Sequence, residues 1–317
     1  MPATSSIPNR PIRYAKSRPD LQQCPIKLNA ALWDTFSPPY QILPLLGQRV
    51  HRFLGLEFNL PEIRTKIISH GDLVQAAFIQ ECIAQGWDPN NINISSVERN
   101  INENISQNFQ FLYDSIKKPF IGIVNCYGDF GILSKIDLRM PRQRKKTDAL
   151  LSGKQSIYQG IVDKIKKFPN FFGNANKTNQ VMLMAMCKEL ITVATSSQRR
   201  QKNHKGIVNL FIDTKLSATI NADGLDLDQN GTTDYFCPIY NKKAIGLKIS
   251  EDANSYATPK AFAQYACRLM KKLSSDNKTE EEAQQQFEQL NLYDYAFPDE
   301  ETYKHHDSYG KNGYQTA

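Results

Sequence analysis

Thr233-Asp234-Tyr235-Phe236 and, past the turn Asn241-Lys242-Lys243, Ala244-Ile245-Gly246-Leu247-Lys248-Ile249-Ser250 form the centre of the stretch that decides how this chain is read. The whole stretch runs from Ile207 to Lys272. It reads strand, strand, acidic turn, strand, turn, strand, helix. Apolar and aromatic residues flank the turn on both sides, as two paired strands require. Pro259 to Leu273 reads as a helix covering the sheet from one side.

An acid opening one strand and a lysine inside the next suit phosphodiester hydrolysis. That reaction needs a nucleophilic water, a divalent cation and relief of charge on the phosphate. Mg²⁺ prefers oxygen ligands and keeps several waters, so one or two carboxylates hold it. A lysine beside water and phosphate helps neutralise developing charge. Asp234 and Lys248 meet this description if they lie on adjacent strands of a bent hairpin. The plainer alternative is a solvent-facing hairpin whose lysine snorkels to water.

Outward from this segment, charge is unevenly spread. The formal net charge is +7. From Lys135 to Lys205 there are 16 Lys and Arg against 4 Asp and Glu; from Ser274 to Ala317 there are 3 against 10. A basic middle favours phosphate backbone as a partner, against the alternative of a solvated lysine-rich surface. Two loops concentrate the charge: Arg139, Arg142, Arg144, Lys145 and Lys146 in one, Arg199, Arg200 and Lys202 in the other. With 40% hydrophobic residues over 317 positions the chain is globular. Its first residues lack the apolar segment of a secretory signal, and no apolar run reaches membrane-span length. A soluble cytoplasmic protein is the expectation. Six scattered cysteines without a Cys-x-x-Cys pair read as reduced, buried thiols.

Thr233-Asp234 and Gly246-Leu247-Lys248, followed by a helix, resemble the PD-(D/E)xK nucleases, the fold of many type II restriction endonucleases. The resemblance spans about 65 residues. It implies an α/β (α+β) fold, with a mixed central sheet flanked by helices and with N-terminal helical additions. It implies Mg²⁺-dependent, site-specific cleavage of double-stranded DNA by a homodimer. Asp234 would hold the metal and Lys248 would position and acidify the water. Gly246 stands where the family has an acid, so Asp213, Glu251 or Glu189 would supply the missing carboxylate. The alternative is a non-catalytic nucleic-acid-binding protein of a phage, plasmid or defence complex.

Asp226, Asp228, Asn230 and Asp234 around Gly231 also look like part of a calcium loop. A polar turn explains the same residues. No Gly-x-Ser-x-Gly elbow occurs, so Ser-His-Asp chemistry has no motif behind it. No phosphate-binding Gly-x4-Gly-Lys loop occurs either.

The organisation expected from pattern is an extended arm over 1–38, a helical region over 39–118, a nuclease-like core over 119–292 and an acidic, polar tail over 293–317. Within it, Asp72 to Gln85 reads as a helix capped by Asp72 and stopped at Gly86. Ser96 to Lys117, 147–167 and 179–197 read as further helices. Phe120 to Cys126 reads as a buried strand and Phe130 to Met140 as its hairpin partner. Thr279 to Leu290 reads as a late helix.

Overall fold

The computed structural model describes residues 18, 20–34, 70–98, 116–126, 163, 166–173, 190–195, 210–212, 216–220, 224–227, 229–230, 235–236, 247–251, 253–275 and 279–297. Short apolar runs build its main sheet. These are β1 (Leu28–Asp34), β2 (Ile92–Glu98), β3 (Phe120–Asn125), β4 (Asn170–Gly173), β5 (Ile191–Thr195) and β6 (Leu210–Ile212), arranged in the order β2-β1-β3-β4-β5-β6. Every neighbouring pair is parallel. Strands β1, β3 and β4 are buried almost throughout, as parallel strands covered on both faces must be. The protein is therefore α/β.

A second, antiparallel sheet has the order β10-β7-β8-β9. It is formed by β7 (Leu216–Ile220), β8 (Gly224–Asp226), β9 (Tyr235–Phe236) and β10 (Leu247–Glu251). Gln80 donates to the Ser217 carbonyl at 3.1 Å and ties this sheet to the helical layer.

Two helices cover one face of the parallel sheet. Helix α1 spans His70–Ala84 and α2 spans Asn254–Ser274. Leu32, Val124, Phe171 and Ile191 follow one another across the strand register and join the core formed with these helices. Phe262 sits at its centre with no exposed surface. Its ring lies 6.0 Å from Phe78 of α1, 5.4 Å from Phe171 of β4 and 5.5 Å from Tyr265. Tyr265 donates its hydroxyl to the Ile121 carbonyl at 2.7 Å, so α2 is pinned to β3 by a buried bond. Gly122 has φ 154°, and a Cβ there would come within 2.4 Å of the Pro169 carbonyl oxygen. Only glycine allows these two backbones to approach so closely. A third helix, α3 (Glu280–Gln289), begins with a reciprocal capping box between Thr279 and Glu282.

Several expectations need correction. Leu28–Asp34 lies inside the span read as an extended arm, yet it is flanked by β2 and β3 in the sheet. The surrounding Pro, Ser and Arg masked its apolar run. Ile92–Glu98 is a strand, so no helix begins at Ser96. Likewise the helix placed over 179–197 gives way to strand Ile191–Thr195, where β-branched residues outweigh the helical spacing. Asp72 stands in the first turn of α1 rather than at its cap. Gly86 does end that helix, with φ 80°. Helix α2 starts five residues before Pro259, which lies inside it. The first residues of the expected loose tail pack well: Ala296 and Phe297 are buried, and Arg268 donates to the carbonyls of Tyr295 and Ala296. The helix over 147–167 falls almost entirely outside the described residues, and the hairpin partner Phe130 to Met140 lies wholly outside them.

Candidate active site

In a parallel sheet the place to look for chemistry is the crevice outside the carboxyl ends of the strands, where strand order reverses. Here the chain leaves β1 toward β2 on one side and returns to β3 on the other, so the reversal falls at β1 and β3. Asp34 is the last residue of β1 and is 2% exposed. His70 is the first residue of α1. Its Nδ1 lies 2.8 Å from Oδ1 and 3.0 Å from Oδ2 of Asp34. A buried carboxylate on Nδ1 fixes the imidazole's orientation and favours the tautomer protonated at Nδ1.

Ser255 is the second residue of α2 and is half-buried. Its neighbour Tyr256 is 1% exposed, and the Tyr256 ring stacks on His70 at a centroid distance of 6.2 Å. The Cys126 thiol, at the end of β3, donates to the Ser255 carbonyl at 3.3 Å. The helix start bearing Ser255 is thus held against both the histidine and the strand end. Ala253, the N-cap of α2, provides no side-chain cap. The positive end of the helix dipole then falls beside Ser255, where negative charge is favoured.

Close packing sets the depth of this turn. Thr258 is fully buried and donates to the Asn254 carbonyl at 2.7 Å. Gly173, at the end of β4, lies directly beneath: a Cβ there would be 2.8 Å from Thr258 Oγ1. Burial pushes the Cys126 thiol well above its ordinary value. The Asp34 carboxylate pushes it further, and the neighbouring Thr258 side chain partly offsets both.

Asp34, His70 and Ser255 were not singled out by sequence reasoning. His70 was left just outside the helix read over Asp72 to Gln85, and the start of α2 was placed at Pro259. The signals available were an apolar run ending in Asp34, a histidine opening a helix, and a serine just before a helical proline.

The residues that sequence did single out lie elsewhere. Asp234, Asp213, Glu189, Gly246, Arg139, Arg142, Arg144, Lys145, Lys146, Arg199, Arg200 and Lys202 fall outside the described residues. Lys248 and Glu251 share β10, paired with Thr219 and Leu216 of β7. The expected hairpin between the strand after Asp234 and that of Lys248 is corrected by the sheet order: β9 and β10 are at opposite edges, with β7 and β8 between them. Three strand spacings, about 14 Å, separate them. Asp226 is buried, and its Oδ1 accepts from the Asn230 backbone N–H at 3.1 Å, the bond of a closed polar turn. Among the described residues no group of three or more His, Cys, Asp and Glu is placed to hold a metal ion. No helix among them is long and apolar enough to cross a membrane.

No family model matches the chain, and no curated protein matches it. Among solved structures it is similar to one described as the crystal structure of a lanthipeptide protease. The identity is 12%, the match covers 84% of this chain and 81% of that one, and the TM-score is 0.42.

Proposed function

We propose that this protein is a serine hydrolase that cleaves an acyl bond, a peptide or ester, through Asp34, His70 and Ser255. The observation that carries the reading is the Asp34–His70 pair at the strand-order reversal, with Ser255 opening the helix packed against it. In this scheme Ser255 Oγ attacks the substrate carbonyl and His70 Nε2 takes its proton. His70 then gives that proton to the leaving group. Asp34 holds the imidazole and stabilises the imidazolium that forms. The first turn of α2 supplies N–H groups and dipole to the oxyanion. The order Asp, His, Ser along the chain is that of subtilisins, which place the same three groups on an α/β scaffold. The absence of a Gly-x-Ser-x-Gly elbow is consistent with this order, since that turn belongs to a different scaffold.

The test is labelling of the full-length protein by a fluorophosphonate probe, together with hydrolysis of a fluorogenic ester and of casein. Covalent labelling that disappears in Ser255→Ala and in His70→Ala supports the reading. A wild-type protein that takes no label and turns over neither substrate overturns it.

A second proposal keeps the metal-dependent nuclease, restriction-endonuclease-like in fold, with Asp234, Lys248 and either Asp213 or Glu251 around Mg²⁺; because β9 and β10 lie at opposite sheet edges, it requires the chain at Asp234 to turn back toward β10. The net charge of +7 and the two basic loops support it. It predicts Mg²⁺-dependent plasmid cleavage that is lost in Asp234→Ala and kept in Ser255→Ala. Binding without cleavage would leave the nucleic-acid-binding alternative.

A further inference from the structure

Pro259 lies inside α2, four residues after Ser255. Proline has no N–H, so the Ser255 carbonyl loses its usual helical donor, and the proline ring also crowds that carbonyl. A buried carbonyl left unpaired is costly. The Cys126 thiol fills the vacancy at 3.3 Å. Strand register explains why this residue arrives there. Leu32 pairs with Val124 and Trp33 with Asn125, so the next position brings Cys126 level with Asp34, on the face that packs against α1 and α2. Asp34 and Cys126 are thus neighbours at the carboxyl end of adjacent strands.

We propose that Cys126 is a positioning residue: its thiol replaces the missing Pro259 N–H and fixes the backbone of Ser255 against the strand pair that carries Asp34. This rests on the serine-hydrolase reading. The thiol suits the task because it remains protonated. Burial and the Asp34 carboxylate both oppose its ionisation, so it donates to the carbonyl instead of repelling it. A thiol is also longer than a hydroxyl and bridges the strand end to the helix turn without pulling them together. The role differs from nucleophilic catalysis, since Cys126 acts only through Ser255.

The experiment compares full-length wild type with Cys126→Ala, Cys126→Val and Cys126→Ser. Each is measured by the rate of fluorophosphonate labelling and by kcat and KM on a fluorogenic ester. Loss of the donor should lower the labelling rate and kcat roughly tenfold in the Ala and Val variants, with KM nearly unchanged. The serine variant keeps a donor and should recover part of the loss. A purely structural role would change melting temperature and leave kcat alone. Val fills the space of the thiol without donating, so it decides the matter if the Ala variant does not fold. Wild-type labelling rates in Cys126→Val overturn the inference while Ser255→Ala remains unlabelled. A wild type that takes no label overturns the catalytic reading and this inference with it.

Discussion

Gly173→Ala tests the site without touching any group placed in the reaction. The added Cβ would stand 2.8 Å from Thr258 Oγ1, whereas ordinary contact begins near 3.4 Å. The two must separate by roughly 0.6 Å. Thr258 is fully buried and bonded to the Asn254 carbonyl, so its side chain has no easy retreat. The displacement passes to the first turn of α2 and therefore to Ser255. Misplacing a reacting group by about 1 Å can cost on the order of 100-fold, so a fall in kcat of about tenfold to thirtyfold is expected. The overpacking should also destabilise the fold by about 1–3 kcal/mol. The assay is ester hydrolysis with kcat and KM resolved, beside urea unfolding. Removing the obstructing oxygen in Gly173→Ala/Thr258→Ala should recover much of kcat, giving a clear coupling in the double-mutant cycle. A single variant that keeps wild-type kcat would refute the claim that the depth of this turn sets the nucleophile.

Asp34→Asn should lower kcat by about 10⁴-fold with little change in KM, because an amide opposite Nδ1 favours the wrong tautomer; steady-state kinetics checks it. Phe262→Ala should cost about 3–5 kcal/mol in urea unfolding, since it empties the space between α1, α2 and β4. Alkaline pH should destabilise the protein. Burial raises the Cys82 thiol well above 9.0, so the unfolded chain loses that proton first, and stability present below this pH is lost as pH rises above it. Thermal melts from about pH 8 to about pH 11 should fall less steeply for Cys82→Ala than for wild type.

Local pattern carried much of the scaffold. Phe120–Asn125 was legible as a continuous apolar run, and the helix ending at Gly86 from its spacing and its stop. The Thr279 to Leu290 helix was legible too, and the structure starts it with the Thr279–Glu282 capping box. Strands Leu28–Asp34, Ile92–Glu98 and Ile191–Thr195 were not. Short buried strands carry no alternation, and their neighbours were polar or helix-like. The expected strand pairing was not legible either: Asp234 and Lys248 are close in sequence, while the strands nearest them lie at opposite edges of a sheet.

The amino-acid order alone determined an α/β protein with amphipathic helices, an uneven charge and no membrane-length apolar run, because each of these is a property of neighbouring residues. Tertiary structure decided which residues meet. Asp34, His70 and Ser255 come from three separate elements, and no spacing rule links them. Asp34 meets His70, and Cys126 meets the Ser255 carbonyl, because parallel strands all present their carboxyl ends to one edge of the sheet, and because α1 and α2 begin at that edge before packing down over the same core.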